Sequence, residues 1–132
     1  MDSKELGNLG ESIACEYLVK KGYKIVDRNY RISWGEIDII ARKRWGLFVK
    51  KDKTIHFVEV KSLSHETGGG TLFKPEDAVG YQKQRRLKRA IQGYLREYPI
   101  SYETEWQFDI VAVYINTGKK TAKVRFLENF VL

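Results

Sequence analysis

Two short stretches decide the fold of this chain: residues 35–40 read GEIDII, and residues 57–61 read FVEVK. Each is apolar enough for a buried strand, yet each places charged residues at alternate positions. Because strand side chains alternate between the two faces of a sheet, Glu36 and Asp38 should share one face, as should Glu59 and Lys61. We expect the two strands to pair antiparallel, so that all four charged groups converge. The apolar residues between them should then point to the opposite face, namely Ile37, Ile39, Val58 and Val60.

Three carboxylates that lie together are typical of a divalent metal site. They repel one another unless a cation joins them, and such hard oxygen ligands suit Mg²⁺ or Mn²⁺. Asp38 and Glu59 would hold the metal, which polarises a phosphate oxygen and lowers the pKa of a bound water. Lys61 would orient the attacking water and offset the charge that develops on the phosphoryl oxygens. The alternative is that Lys61 only pairs with Glu59 or Glu36 at the sheet surface.

A further carboxylate, Glu11, lies at the edge of the apolar face of the first predicted helix. It precedes three positions of that face by three, four and seven residues, at Ala14, Cys15 and Leu18. A carboxylate there costs free energy unless it has a cationic or metal partner, although an exposed glutamate with a long stem explains the pattern equally well. Gly7 and Gly10 would let another backbone or a ligand approach this helix closely.

Hydrophobic periodicity along the rest of the chain predicts an α/β domain with the order αβββαββ. Helices are predicted at residues 4–21 and Ala78–Tyr98, and strands at Lys24–Tyr30, Glu36–Arg42, Ile55–Ser62, Trp106–Ile115 and Ala122–Val131. The Leu63–Pro75 segment has neither periodicity and is predicted to be a long loop. Residues 1–132 should form a single domain, because a chain of 132 residues with 42% apolar content can bury one core but not two.

Composition limits both the kind of site and the partner. Cys15 is the single cysteine and two histidines accompany it, which excludes an internal disulfide and a Cys/His zinc site. No apolar run approaches the ~20 residues of a membrane span and the N-terminus does not resemble a targeting signal, so we expect a cytoplasmic protein with no membrane partner. The formal charge of +7 favours a polyanionic partner, of which nucleic acid is the commonest.

One face of the second predicted helix is strongly basic and is a candidate phosphate-binding surface. It carries Lys83, Arg85, Arg86, Lys88 and Arg89, to which Arg28 and Arg31 of the first strand can add. The alternative is a solvated basic face with no ligand. The three tryptophans do not repeat in their spacing, which is more typical of core or rim aromatics than of base-stacking platforms.

These motifs together resemble the YraN-like family of small bacterial proteins, in order from about residue 5 to residue 114. The resemblance is carried by Gly7-x-x-Gly10-Glu11, Arg28-Asn29-x-Arg31, Gly35-Glu36-Ile37-Asp38, Phe57-Val58-Glu59-Val60-Lys61, Lys83-x-x-Arg86-Leu87 and Phe108-Asp109-Ile110-Val111. That family is similar in fold to archaeal Holliday-junction resolvases and PD-(D/E)xK nucleases. The resemblance therefore implies a restriction-endonuclease-like fold, in which helices flank a central mixed β-sheet.

The resemblance also implies roles for individual residues. Asp38, Glu59 and Lys61 correspond to the D…(D/E)xK core, and Glu11 is the helix-borne carboxylate that resolvase-like sites add to the catalytic and metal-binding group. The Arg42–Thr54 stretch departs from the family pattern, because it is longer and more basic than the hairpin expected between those strands.

We therefore predict a metal-dependent nuclease-like protein that uses Mg²⁺ or Mn²⁺ and acts on or binds DNA, with branched or structured DNA suggested by the resolvase likeness. Resolvase-like proteins act as dimers because a junction offers two equivalent strands, so a homodimer is allowed. One alternative is a non-catalytic nucleic-acid-binding accessory protein with a vestigial carboxylate site, since a retained motif does not guarantee catalysis. Another is a protein-interaction module that uses the loop and the basic helix.

Overall fold

A mixed β-sheet with one helix on each face organises the part of the chain described by the computed structural model, namely residues 1–44, 52–64, 80–98 and 104–132. In chain order the elements are α1 (Ser3–Lys20), β1 (Tyr23–Ile32), β2 (Gly35–Lys43), β3 (Ile55–Ser64), α2 (Tyr81–Glu97), β4 (Trp106–Asn116) and β5 (Thr121–Leu127). The predicted α/β class and the order αβββαββ are confirmed for these residues.

The five described strands lie side by side in chain order, from β1 to β5. Neighbouring strands pair antiparallel except for β3 and β4, which run parallel from the Ile55–Trp106 pair to the Ser64–Ile115 pair. A parallel pair needs a crossover between its strands, and α2 lies in the chain segment that joins β3 to β4. The expected antiparallel pairing of β2 with β3 is therefore present.

The two helices cover opposite faces of the sheet and define two cores. The α1-side core contains Ala14, Leu18, Tyr23, Ile39, Ala41, Val58, Val111, Val113 and Ile115. The α2-side core contains Tyr30, Ile37, Ile40, Ile55, Phe57, Leu87, Ala90, Ile91, Tyr94, Phe108 and Ile110. Both faces of β4 and of the first half of β3 are buried, which is why β4 reads as a nearly continuous apolar run in the sequence.

Two glycines let the helices approach the sheet more closely than any side chain would allow. A Cβ atom on Gly10 of α1 would lie 1.8 Å from the hydroxyl oxygen of Ser62 on β3. A Cβ atom on Gly35 of β2 would lie 2.5 Å from the backbone carbonyl of Arg86 on α2. These contacts bring α1 against the end of β3, and α2 against the start of β2. The predicted close approach holds at Gly10, whereas nothing lies within 4 Å of a Cβ atom on Gly7.

The last strand ends earlier than its predicted limit of Val131. β5 stops at Leu127, and Asn129 then adopts a φ of 55°, which interrupts the extended backbone of the strand. The backbone N–H of Phe130 donates to the carbonyl of Phe108 at 2.7 Å, and the Phe130 side chain packs on the α2-side core. The apolar terminal residues thus cover a core outside the strand ladder.

The predicted loop at Leu63–Pro75 is wrong at its start, because the parallel pairing with β4 continues through Leu63 and Ser64. The rest of that segment, the middle of the Arg42–Thr54 stretch and the predicted helix start at Ala78 lie outside the described residues. Over the described residues, neither helix is both long and apolar enough to cross a membrane.

Candidate active site

The site lies where β2 and β3 separate. Their backbone pairing runs from Arg42–Ile55 to Ile39–Val58 and goes no further along the described strands. At the next position the backbone N–H of Val60 donates to the Oδ2 atom of Asp38 at 2.8 Å. The Asp38 carboxylate therefore occupies the place where a regular sheet would continue its backbone ladder.

Asp38 marks a shift in the alternation of β2. Gly35 and Ile37 face α2, whereas Ile39 faces α1 and Ile40 faces α2 again. The prediction that Ile37 and Ile39 share one face is thus wrong. Regular pleating would give strict alternation, but the strand is irregular at Asp38, and this directs its side chain toward β3.

Asp38 and Glu59 form the centre of the site. Glu59 is 5% exposed, and its carboxylate shares a side-chain hydrogen bond with Asp38. Burial raises the pKa of Asp38 and the Glu59 charge raises it further, to about 8, against a smaller opposing effect of the Val60 N–H. Asp38 therefore keeps its proton at neutral pH, because a second charge beside the Glu59 carboxylate is costly in this partly buried place.

Two lysines flank the pair. Lys83 of α2 forms an ion pair with the Oε1 atom of Glu59, although its own side chain is 45% exposed. Lys61 lies two residues after Glu59 on the α2 face of β3, since Ser62 next to it contacts α1. Within the described part of the chain, Lys61 has no carboxylate within salt-bridge distance. The Lys61 side chain thus stands on the face of β3 that also carries Glu59.

Glu11 lies next to this pair, on the α1 side. Its charge contributes to the raised pKa of Asp38, and its side chain is only 12% exposed. The Oε1 atom accepts hydrogen bonds from the Arg28 guanidinium at 3.3 Å and from Nδ2 of Asn29 at 3.0 Å. Asn29 adopts a φ of 53°, a conformation that asparagine tolerates better than most residues. An exposed, unpartnered Glu11 is therefore excluded.

Not every predicted residue joins the site. Glu36 is exposed and forms a 3.2 Å ion pair with Arg31, which is exposed as well. The expected convergence of Glu36 with the other charges is therefore wrong, because the shift in alternation at Asp38 separates them. The Arg86 side chain is exposed on α2, next to the close approach of Gly35.

Two contacts of the site were missed by sequence reasoning. Lys83 and Arg28 were expected to contact phosphate, yet each pairs with a carboxylate of the site, Glu59 and Glu11 respectively. Asn29, the third contact of Glu11, stands in the motif Arg28-Asn29-x-Arg31 without being given a role. That motif was the available signal.

The donor set fits one divalent cation between Asp38 and Glu59. Across the described ranges no three Asp, Glu, His or Cys side chains have the arrangement of a metal centre. A cation between the two carboxylates would nevertheless offset the repulsion that raises the pKa of Asp38, and carboxylate oxygens are ligands that Mg²⁺ and Mn²⁺ accept. Glu11 would join only by leaving Arg28, or through a water.

Comparison with known proteins places most of the chain in one group. The family model described as "Uncharacterised protein family UPF0102" matches residues 10–113, a range that includes all the residues of the site. A "UPF0102 protein" of Alkaliphilus oremlandii is 40% identical over 127 residues, covering 96% of this chain and 97% of the relative. Another, of Desulforamulus reducens, is 36% identical over 126 residues, with 96% and 94% coverage.

Proposed function

The chain belongs to the uncharacterised protein family UPF0102, and from the geometry of its site we propose that it is a metal-dependent nuclease-like protein acting on DNA. One observation carries the proposal: a carboxylate pair lies where two strands separate, with a lysine on the same strand face. Asp38 and Glu59 supply the paired oxygens, and Lys61 supplies the ammonium group.

The chain's own residues would divide the work as follows. Asp38 and Glu59 hold the cation, and the Val60 N–H fixes the orientation of the Asp38 carboxylate. The cation supplies Lewis-acid polarisation of a phosphate oxygen and lowers the pKa of water. Lys61 orients the attacking water and offsets the negative charge that grows on the phosphoryl oxygens. Lys83 balances the charge of Glu59 while the site is free of metal.

The charge of the molecule supports DNA as the substrate. The chain carries a formal charge of +7, and the exposed side of α2 presents a row of cations to solvent, namely Arg85, Arg86, Lys88, Arg89 and Arg96. Lys83 joins this row to the carboxylate pair. A backbone phosphate bound along α2 would therefore bring a neighbouring phosphodiester to the site.

A panel of DNA substrates and one pair of variants test this proposal. Single-stranded, duplex, flap and four-way DNA are incubated with the protein in Mg²⁺ or Mn²⁺, and binding of the metal alone is measured by isothermal titration calorimetry. Asp38→Asn should abolish metal binding and cleavage together, since an amide is a far poorer ligand for a divalent cation than a carboxylate. Glu36→Gln is the matched control, because this carboxylate lies two residues away but outside the site. Equal loss in both variants would contradict the proposal.

A second function, a nucleic-acid-binding protein whose carboxylate site is structural, is favoured by the internal partners of the carboxylates. Lys83 pairs with Glu59 and Arg28 with Glu11, so the folded protein already balances two of the three charges. The same experiments separate the two functions. The binding function would be supported if the protein binds DNA in a salt-sensitive way but calorimetry shows no Mn²⁺ binding and no DNA is cleaved.

A further inference from the structure

A cleft lies on the α2 side of the β1–β2 turn, away from the carboxylate pair. Its volume is about 470 Å³, and among the described residues Trp34, Arg89, Gln92 and Arg96 line it. Trp34, in the turn between β1 and β2, is 61% exposed. The three α2 residues are spaced at i, i+3 and i+7, so they form a single stripe along the helix. A large aromatic side chain thus stands in solvent next to two guanidinium groups.

The turn that carries Trp34 is held firmly against the helix. Gly35 follows it directly, and its Cα approaches the Arg86 carbonyl so closely that a Cβ atom would lie 2.5 Å from that oxygen. On the other side of the turn, Ile32 packs on Gly93. A Cβ atom on this glycine would lie 3.4 Å from the Cδ1 atom of Ile32. Contacts on both sides of the turn therefore hold its backbone against α2 and keep Trp34 beside the stripe of Arg89, Gln92 and Arg96.

The chemistry of the lining selects a nucleotide. An indole ring stacks on any base, the guanidinium groups pair with phosphate, and the Gln92 amide offers both a donor and an acceptor to a base edge. A base inside a duplex is already stacked on both sides and cannot offer its face to an indole. We propose that this cleft binds an unpaired nucleotide of a DNA strand whose neighbouring phosphates lie along α2.

This inference rests on the proposed function and adds a substrate class to it. At about 1.5 Å per helical residue, Arg89 lies roughly 9 Å and Arg96 roughly 20 Å along the axis from Lys83. At about 3.4 Å per stacked nucleotide, that distance is roughly three to six nucleotides. DNA with an unpaired stretch beside the phosphodiester at the site would therefore be bound more tightly than an uninterrupted duplex.

Fluorescence anisotropy with labelled DNA tests the proposal. Single-stranded, tailed-duplex and blunt-duplex oligonucleotides are titrated at several salt concentrations with the wild type, Trp34→Ala and Trp34→Phe. Trp34→Ala loses one stacked base, so it should bind single-stranded and tailed DNA roughly 5- to 150-fold more weakly than the wild type. Trp34→Phe should retain most of the wild-type affinity, because its ring can still stack. The affinity for blunt duplex should be unchanged in both variants. Val26→Ala, which removes an exposed apolar side chain of β1 outside the cleft, should change none of these affinities. Arg89→Gln with Arg96→Gln should flatten the salt dependence for tailed DNA by one to two units of slope, at about 0.9 per lost phosphate contact.

The outcomes separate this inference from the proposal on which it rests. Two results would overturn the inference and leave the nuclease proposal standing. One is a wild type that binds blunt duplex as tightly as tailed DNA. The other is an affinity for tailed DNA that differs less than twofold between Trp34→Ala and the wild type. Absence of binding to all three DNA forms overturns both. Tight binding of a single-stranded RNA of the same sequence with no binding of DNA would also overturn the assignment to DNA.

Discussion

Replacing Asp38 with asparagine should stabilise the metal-free protein at high pH. The pKa of Asp38 rises from 3.8 to about 8, first through burial and then through the Glu59 charge. Asparagine has nearly the same shape and keeps an oxygen for the Val60 N–H, but it never ionises. It therefore removes the cost of placing a second charge beside Glu59.

The size and the sign of the effect follow from proton linkage. Between pH 3.8 and about 8 the folded protein keeps a proton on Asp38 that the unfolded chain has lost, so wild-type stability falls as the pH rises through this window. One pKa unit corresponds to about 1.36 kcal/mol, so a shift of roughly four units sets an upper limit of about 5–6 kcal/mol. Because Asp38 is only partly buried, we expect part of this limit, a gain of several kcal/mol for Asp38→Asn at pH 9.

Urea unfolding followed by tryptophan fluorescence, in EDTA at pH 5.5 and pH 9, measures this gain. At pH 5.5 the gain should be smaller, at most about 2 kcal/mol, because only the 1.7 pH units above the unfolded pKa of 3.8 contribute at about 1.36 kcal/mol each. Glu36→Gln should show no such pH dependence, because exposed ion pairs contribute little. A variant that is less stable than the wild type at pH 9, or equally shifted at both pH values, would refute the coupling of Asp38 to Glu59.

Three further changes test other contacts. Lys83→Ala should lower stability by about 1–3 kcal/mol, since it leaves a buried carboxylate without its cation, and Lys83→Arg should restore most of this loss in thermal melts. Gly35→Ala should lower the free energy of unfolding in urea by about 1–3 kcal/mol, because the new Cβ atom would press on the Arg86 carbonyl. Gly80→Ala is the control, since nothing lies within 4 Å of its Cβ position. Equal effects of the two substitutions would contradict this reasoning. Asp109→Ala should lower stability by about 1–3 kcal/mol, because the buried His56 ring loses its hydrogen-bond partner, whereas the half-buried Gln107 amide and the exposed Asn129 N–H can bond to water instead. A loss below 1 kcal/mol would show that the donors find other partners.

The order of the elements could be predicted because periodicity reports which side of an element is buried. In α2 the buried residues Leu87, Ile91 and Tyr94 are spaced four and three residues apart, and this helical spacing can be read from the sequence alone. The family could be predicted as well, and the match to UPF0102 over residues 10–113 confirms the YraN-like resemblance. The end of β5 could not be predicted, because the conformation of Asn129 depends on a tertiary contact, the hydrogen bond from its backbone N–H to Asp109.

The candidate site was predictable only in part. The proximity of Asp38 and Glu59 follows from antiparallel pairing, and the structure brings these two residues together. The exposure of Glu36 did not follow, since alternation assumes a regular strand and the irregularity at Asp38 is a property of the folded sheet. The pairing of Lys83 with Glu59 could not be predicted either, because the distance between α2 and β3 is set by how the helix packs on the sheet.

The sequence also suggested a core or rim role for the tryptophans, and the structure places Trp34 at 61% exposure. Periodicity carries no information on a residue in a two-residue turn, because such a residue belongs to no face of a helix or strand. Its neighbours in the cleft come from α2, more than fifty residues later in the chain. A site of this kind becomes visible only once the turn is placed against the helix.

Single-turnover cleavage in Mn²⁺ tests the central claim most directly, with the wild type, Lys61→Ala and Asp38→Asn compared on whichever DNA the wild type cuts. The account predicts that Lys61→Ala keeps metal and DNA binding but cleaves on the order of 10²–10³ more slowly, as expected for loss of one preorganised charge, and that Asp38→Asn loses metal binding and cleavage together. Cleavage at the wild-type rate by Lys61→Ala, or no cleavage of any DNA by the pure wild type, would contradict it.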